Sequence, residues 1–229
     1  MDGYYQMQQF SLLHNGSAQS WQAAYLAFHI AARLGAPLQV LLIGSSKKDK
    51  VSLAQWAAQL ETGGRAAGVT IETRLLMEFS LDALKDTIAS IDGLFTPRHF
   101  VPDGKTAELF LDAFSCPLWI VSQGSNFREM AILMDNLIKD NHMIAHIKIL
   151  THRLQQSLSG LIAEKELATT PKNDPPTFTW IPLSSLSLAN IISSLKKHDI
   201  DLLFISAANA YMVNKLPCNC VIFPSKENA

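Results

Sequence analysis

The sequence is short of charge, of cysteine and of long apolar runs, and each shortage removes a class of protein. Charged residues make up only 17% of the 229 positions and the net charge is −1, with lysines in small clusters such as Lys47-Lys48 and Lys196-Lys197. That leaves no concentrated basic face, so no nucleic-acid partner is expected. No apolar run approaches the ~18 residues that span a bilayer, and the opening MDGYYQMQQF has no basic stretch followed by an apolar block. No membrane partner is expected either, and the location read from these absences is cytoplasmic. Three cysteines, an odd number, suit a reducing compartment better than a disulfide framework. No serine, histidine and acid set stands in a nucleophile context such as G-x-S-x-G, so hydrolysis has no motif behind it. What is present is an apolar share of 48%, enough to bury real cores and too high for a disordered chain.

Apolar runs alternate with helix-period stretches. Residues 9–15 read as a strand ending in Asn15-Gly16-Ser17, and 17–34 as a helix with Ser17 as its N-cap and Gly35 as its stop. Leu38 to Ile43 is apolar throughout, as a parallel strand covered on both faces should be. Ser52 and Gln55 form a capping-box pattern opening a helix from Leu53 to about Ala67. A strand in 69–77, a helix over 81–90, a strand at Leu94-Phe95, a helix from about Lys105 to Phe114 and a strand at 118–121 complete the first half. Strands alternating with helices imply a parallel sheet with helices on both faces.

A weaker copy follows a connector at 123–127. Ile91 to Phe95 is echoed by Ile200 to Phe204, and Ser115 to Ile120 by Pro217 to Ile222. Two units are therefore expected, 1–124 and 125–229. In the second, Met130 to Met134 restarts the pattern, and Asp135-Asn136 stands where Asn15-Gly16 stood. Between Asn136 and Thr170 the apolar positions allow one long helix, or a strand at 146–151 followed by a helix at 153–168; the second reading is preferred. A proline-rich loop at 170–177, a strand at 178–183, a helix at 185–197, a strand at 202–205, a turn or two of helix and a strand at 221–223 complete it. Trp119 and Phe223 lie on the two terminal strands, where pairing between the units would bury them.

Few residues carry chemistry. Gly104-Lys105-Thr106 lacks the glycine a P-loop needs five residues earlier, where His99 stands, and reads as a helix start with an exposed lysine and a capping threonine. Arg98, His99 and Lys105 could together hold an anion at that start, against the plainer reading of a solvated loop. Cys218-Asn219-Cys220 has no further ligand nearby in sequence, and His142 and His146, four apart, would face one ligand on a helix but diverge on a strand, so no metal is expected.

Residues 27–43 (AFHIAARLGAPLQVLLI), 66–78 (AAGVTIETRLLME) and 116–121 (CPLWIV) resemble the universal stress protein family. The resemblance implies an α/β fold of two flavodoxin-like parallel-sheet units, of the adenine nucleotide alpha hydrolase type, paired through their last strands, with the second reduced. In one branch of that family adenine nucleotide is held by an aspartate after the first strand and a loop G-x2-G-x9-G, closed by serine or threonine, after the fourth. Backbone N–H groups of such a loop cradle phosphate, and glycine lets it approach. Mapped here, the site would comprise Asn15, Gly16, Ser17, Ile43, Arg98, His99, Gly104, Lys105 and Thr106, with Asp135 in the second unit and ATP or AMP as ligand. Asn15 replaces the aspartate, the segment Thr96 to His99 has none of the early glycines, and Ser206 to Ala210 has no glycine at all. The expectation is a non-enzymatic stress-response or regulatory protein with a degenerate nucleotide site, not holding ATP in the usual way. The alternative is an adenine-nucleotide or anion sensor, or slow phosphohydrolase, built on the first unit. A homodimer and an unidentified protein partner stay open.

Overall fold

The computed structural model describes residues 9–44, 50–88, 91–122, 124, 129–135, 141–169 and 178–225. Among these residues ten strands form one sheet: β1 (Phe10–His14), β2 (Leu38–Ile43), β3 (Ile71–Leu76), β4 (Gly93–Pro97), β5 (Leu118–Val121), β6 (Glu129–Met134), β7 (Ser157–Ala163), β8 (Phe178–Leu183), β9 (Leu202–Ser206) and β10 (Asn219–Phe223). Their order is β3-β2-β1-β4-β5-β10-β9-β6-β7-β8. Each half thus repeats one arrangement, its third, second, first, fourth and fifth strands running from the rim to the middle. All neighbours are parallel except β5 and β10, which meet antiparallel at the seam.

Among the described residues six α-helices cover the sheet: α1 (Ala18–Leu34), α2 (Lys50–Ala66), α3 (Leu81–Thr87), α4 (Gly104–Phe114), α5 (Asn141–Leu154) and α6 (Leu188–Lys197). Leu26, Leu60 and Ile147 bring α1, α2 and α5 into the core on one face. Leu84, Phe110 and Ile191 bring α3, α4 and α6 into the core on the other. The central strands are buried along nearly their whole length because both their sides are covered. Helix α1 begins and ends where its residues predict, since Ser17 Oγ accepts the Ser20 N–H and Gly35 turns left-handed at φ 66°.

Three local expectations are corrected. Helix α2 starts at Lys50, so Ser52 lies in its first turn and is no cap. The cap of α4 is Asp103, whose carboxylate accepts the Thr106 N–H, so Thr106 is the capped residue. The stretch 141–163 is helix then strand, α5 then β7, which overturns both the single long helix and the strand-then-helix reading. The helix stops at Gln155, which adopts φ 55°; its N–H bonds to His152 O and the Gln156 N–H to Thr151 O, a Schellman closure made without glycine. After β7 the described part of the second half is a short 3-10 segment, Glu164–Thr169, where the first half has α2. Apart from Gly124, the connector at 123–127 lies outside the described residues, as does the loop at 170–177.

The seam is held by more than strand pairing. Trp119, opposite Val221, is 2% exposed, with its ring stacked on Phe95 at 4.9 Å and edge-on to Phe204 at 6.2 Å. Phe223 is buried beside Phe204. Trp119 therefore packs between the halves, as anticipated, whereas the ring contacts of Phe223 are with Phe204 and His146 of its own half. Arg33 Nη1 donates to Leu154 O at 3.2 Å and ties α1 to α5.

Candidate functional site

In an open parallel sheet the ligand crevice lies beyond the carboxyl ends of the strands, where the strand order reverses. That point falls between β1 and β4 in the first half and between β6 and β9 in the second.

In the first half this point is bridged by side chains. Asn15 follows β1 and its Nδ2 donates to His99 Nε2 at 3.0 Å, while His99 Nδ1 donates to Gln19 Oε1 at 2.9 Å. Both ring nitrogens are engaged by a neutral imidazole, in keeping with partial burial lowering the His99 pKa. Asn15 Oδ1 accepts from Ser20 Oγ at 2.6 Å and from the Ser17 N–H at 3.2 Å. The Gly16 N–H donates to His14 Nδ1 at 3.2 Å. The N–H groups of Asn15, Gly16, Ser17 and Ser20, donors that a phosphate could use at this turn, are thus already engaged within the chain.

Aromatic rings fill the space above. Gly16 has φ +77°, and a Cβ there would stand 2.0 Å from Trp56 Cζ2, so the indole from α2 lies directly against its backbone. Trp21 packs edge-on to the His14 ring at 4.6 Å and Trp56 at 6.1 Å. His14 is fully buried, and desolvation pushes its pKa down to about 4. With Nδ1 accepting, its proton sits on Nε2, which has no hydrogen-bond partner among the described residues.

The residues expected to face an anion are scattered. Arg98 turns to the second half, where Nη1 donates to Leu216 O at 2.8 Å and Nη2 to Cys218 O at 2.7 Å. Gly104 is also at the seam: a Cβ there would lie 2.6 Å from Tyr211 Cα, so α4 begins against the 3-10 turn Ala207–Met212. Thr106 gives both its N–H and its hydroxyl to Asp103 Oδ1, each at 2.8 Å. Those bonds, the backbone one first, hold the Asp103 carboxyl below its usual range, so a negative charge already caps this helix. Lys105 is exposed, and Ile43, at the end of β2, packs against the core on the α4 side.

The second half repeats the bridge with other residues. Asn209 Nδ2 donates to Asp135 Oδ2 at 2.7 Å and to Ser206 Oγ at 3.2 Å. Beside it a cavity of about 580 Å3 stays open, lined by Asp135, Glu164, Lys165, Glu166, Ser184 and Leu186 among others. Its charge is mainly acidic. Among the described residues no group of three or more His, Cys, Asp or Glu is placed to hold a metal, and the side chain of His142 lies outside them. Burial pushes the thiols of Cys116, Cys218 and Cys220 up to about 12, which makes them core residues rather than reactive groups. Asn209, His14, Gln19 and Trp56 were not singled out from sequence. For Asn209 a signal existed, since it lies just after the fourth strand of its half, as His99 does.

No protein-family model matches the sequence, and no curated protein matches it. Solved structures do match along nearly the whole chain. A putative universal stress protein from Pseudomonas aeruginosa superposes with a TM-score of 0.68 at 12% identity, over 97% of this chain and 95% of that one. The chain has the universal stress protein fold. A universal stress protein from Archaeoglobus fulgidus gives a TM-score of 0.66 at 9% identity, over 96% of this chain and 97% of that one. A functionally unknown Pseudomonas aeruginosa protein gives 0.67 at 11% identity, over 97% of this chain and 94% of that one. The likeness in fold holds along nearly the whole chain at 9–12% identity.

Proposed function

We propose that the chain is a tandem universal stress protein, with units 1–124 and 125–229, acting as a non-enzymatic stress-response or regulatory protein that does not hold ATP in the usual way. The observation that carries this reading is the bridging of both switch points, by Asn15 and His99 with Trp56 over Gly16, and by Asp135 and Asn209. A nucleotide entering the first unit must displace the Trp56 ring and break the Asn15 network. In the second unit the phosphates would meet Asp135, Glu164 and Glu166, an unfavourable field for an anion. The buried free thiols suit a reducing cytoplasm.

Isothermal titration of the nucleotide-stripped chain with ATP and with AMP, together with mass spectrometry of whatever co-purifies, tests the proposal. Flat titrations with no nucleotide retained are expected. Saturable binding that Trp56→Ala strengthens and Lys105→Glu weakens would overturn it. That result would establish the alternative, an adenine-nucleotide or anion sensor on the first unit, for which the exposed Lys105 supplies the one favourable charge at the loop.

A further inference from the structure

The sheet has two outer edges, and they are built differently. On one side β8 carries Pro182, a residue with no N–H to offer and one that sheets confine to their edges. On the other, β3 (Ile71–Leu76) has no proline and no lysine, the usual guards of an edge strand. Leu75 within it and Met77 just after it are 50% and 40% exposed. The backbone direction along β3 follows from its bonds to β2: Leu38 N–H donates to Thr70 O at 2.9 Å and Gly44 N–H to Leu76 O at 3.0 Å. Even-numbered residues therefore bond inward. Ile71, Thr73 and Leu75 turn their N–H and C=O groups to the free edge.

We propose that β3 pairs antiparallel with β3 of a second copy, centred on Thr73, to form a homodimer with one continuous sheet. A twofold axis at Thr73 sets Thr73 opposite Thr73 and Ile71 opposite Leu75, all outward-bonding residues, so three pairs exchange six backbone hydrogen bonds. The same register sets Glu72 opposite Arg74 of the second copy, and Arg74 opposite its Glu72. These are the non-hydrogen-bonded positions, where facing side chains come closest. Within the chain Arg74 Nε already donates to Glu72 Oε1 at 2.8 Å, and the second copy extends that pair into a row of alternating charge. On the opposite face Thr73 and Leu75 follow Ile71, which packs against the core beneath α2, and the pairing covers the exposed Leu75. Of nearby registers, one centred on Glu72 or Arg74 sets each of those residues against its own copy, like charge on like. The β3 sequence is thus self-complementary only about Thr73.

Sedimentation equilibrium of the full chain over a range of concentrations tests this, with far-UV circular dichroism to confirm that each variant is folded. A monomer–dimer equilibrium is expected for the native chain. Arg74→Glu alone and Glu72→Arg alone should each weaken the dimer by about tenfold or more, because both symmetric pairs become repulsive. The double variant, Glu72→Arg with Arg74→Glu, restores opposite charges in this register and should recover the native dissociation constant. Thr73→Pro removes an outward N–H that β2 does not use and should leave a folded monomer. A native chain that is monomeric throughout, a dimer indifferent to Arg74→Glu and Thr73→Pro, or a double variant no tighter than the singles would each overturn the proposal.

Discussion

At the carboxyl ends of its strands the first half carries two tryptophans around a neutral histidine, whereas the second half carries three carboxylates around a cavity of about 580 Å3. The strand order is the same in both, so the sheet is not the source of the difference. One source is the connection after the second strand. In the first half it is the 17-residue helix α2, which lays Trp56 over Gly16. In the second half the described part is a 3-10 segment of six residues, Glu164–Thr169, with acids at its start and no ring to place over the strand ends. One topology thus gives an apolar plug or an acidic hollow according to the residues that its connections bring to the strand ends. On the proposed reading nucleotide is excluded sterically in one half and electrostatically in the other.

The largest effect that would break this comparison lies at the seam both halves share. Trp119→Ala empties the space between Phe95 and Phe204 and should cost about 3–5 kcal/mol of stability in urea denaturation. A loss below about 1 kcal/mol would show that the halves do not rely on each other. The next effect belongs to the first half alone, because His14 is matched by Met134 at the end of β6. The folded pKa of His14, about 4, lies below its ordinary 6.5, so the unfolded chain takes up the proton first. The contribution of this residue is therefore complete above about pH 6.5 and is lost as pH falls toward 4, on the order of 3 kcal/mol. His14→Met, which gives the first half the residue of the second, should flatten that part of the stability profile between pH 6.5 and 4. The smallest effect sharpens the contrast between the two bridges. Asn209 is buried, so Asn209→Ala strands Asp135 and should cost about 1–3 kcal/mol, whereas His99 is exposed and His99→Ala should cost about 0.5 kcal/mol. Equal losses in thermal melts would remove the distinction.

Much of this was legible in the residues. The apolar run Leu38 to Ile43, the cap at Ser17 and stop at Gly35, and the echo of Ile91 to Phe95 in Ile200 to Phe204 fix alternation and repetition by themselves. The stretch 141–163 misled for a physical reason. Ile144, Ile147, Leu150 and Leu154 keep a helical spacing that Leu158 and Leu161 continue by coincidence into β7, and the break falls on Gln155, a residue that rarely adopts the left-handed turn. The candidate site was legible in its parts and not in its assembly. Asn15 and Asp135 were visible as strand-end residues, but nothing near Trp56 signals that it will lie on Gly16 forty positions earlier. Likewise Arg98 has the chemistry of an anion ligand, and only the fold reveals two carbonyls of the other half waiting for it.

The antiparallel seam also sets a schedule during synthesis. Strand β5, Leu118-Trp119-Ile120-Val121, is made about a hundred residues before the β10 segment that covers its outer edge. At translation speeds of about 5–20 residues per second, the first half spends roughly 5–20 s with an apolar, unpaired strand at its rim. During that interval a nascent neighbour on the same message presents the same strand, and pairing between chains competes with pairing within one. The seam that unites the finished protein is thus the place where two unfinished copies are most apt to join.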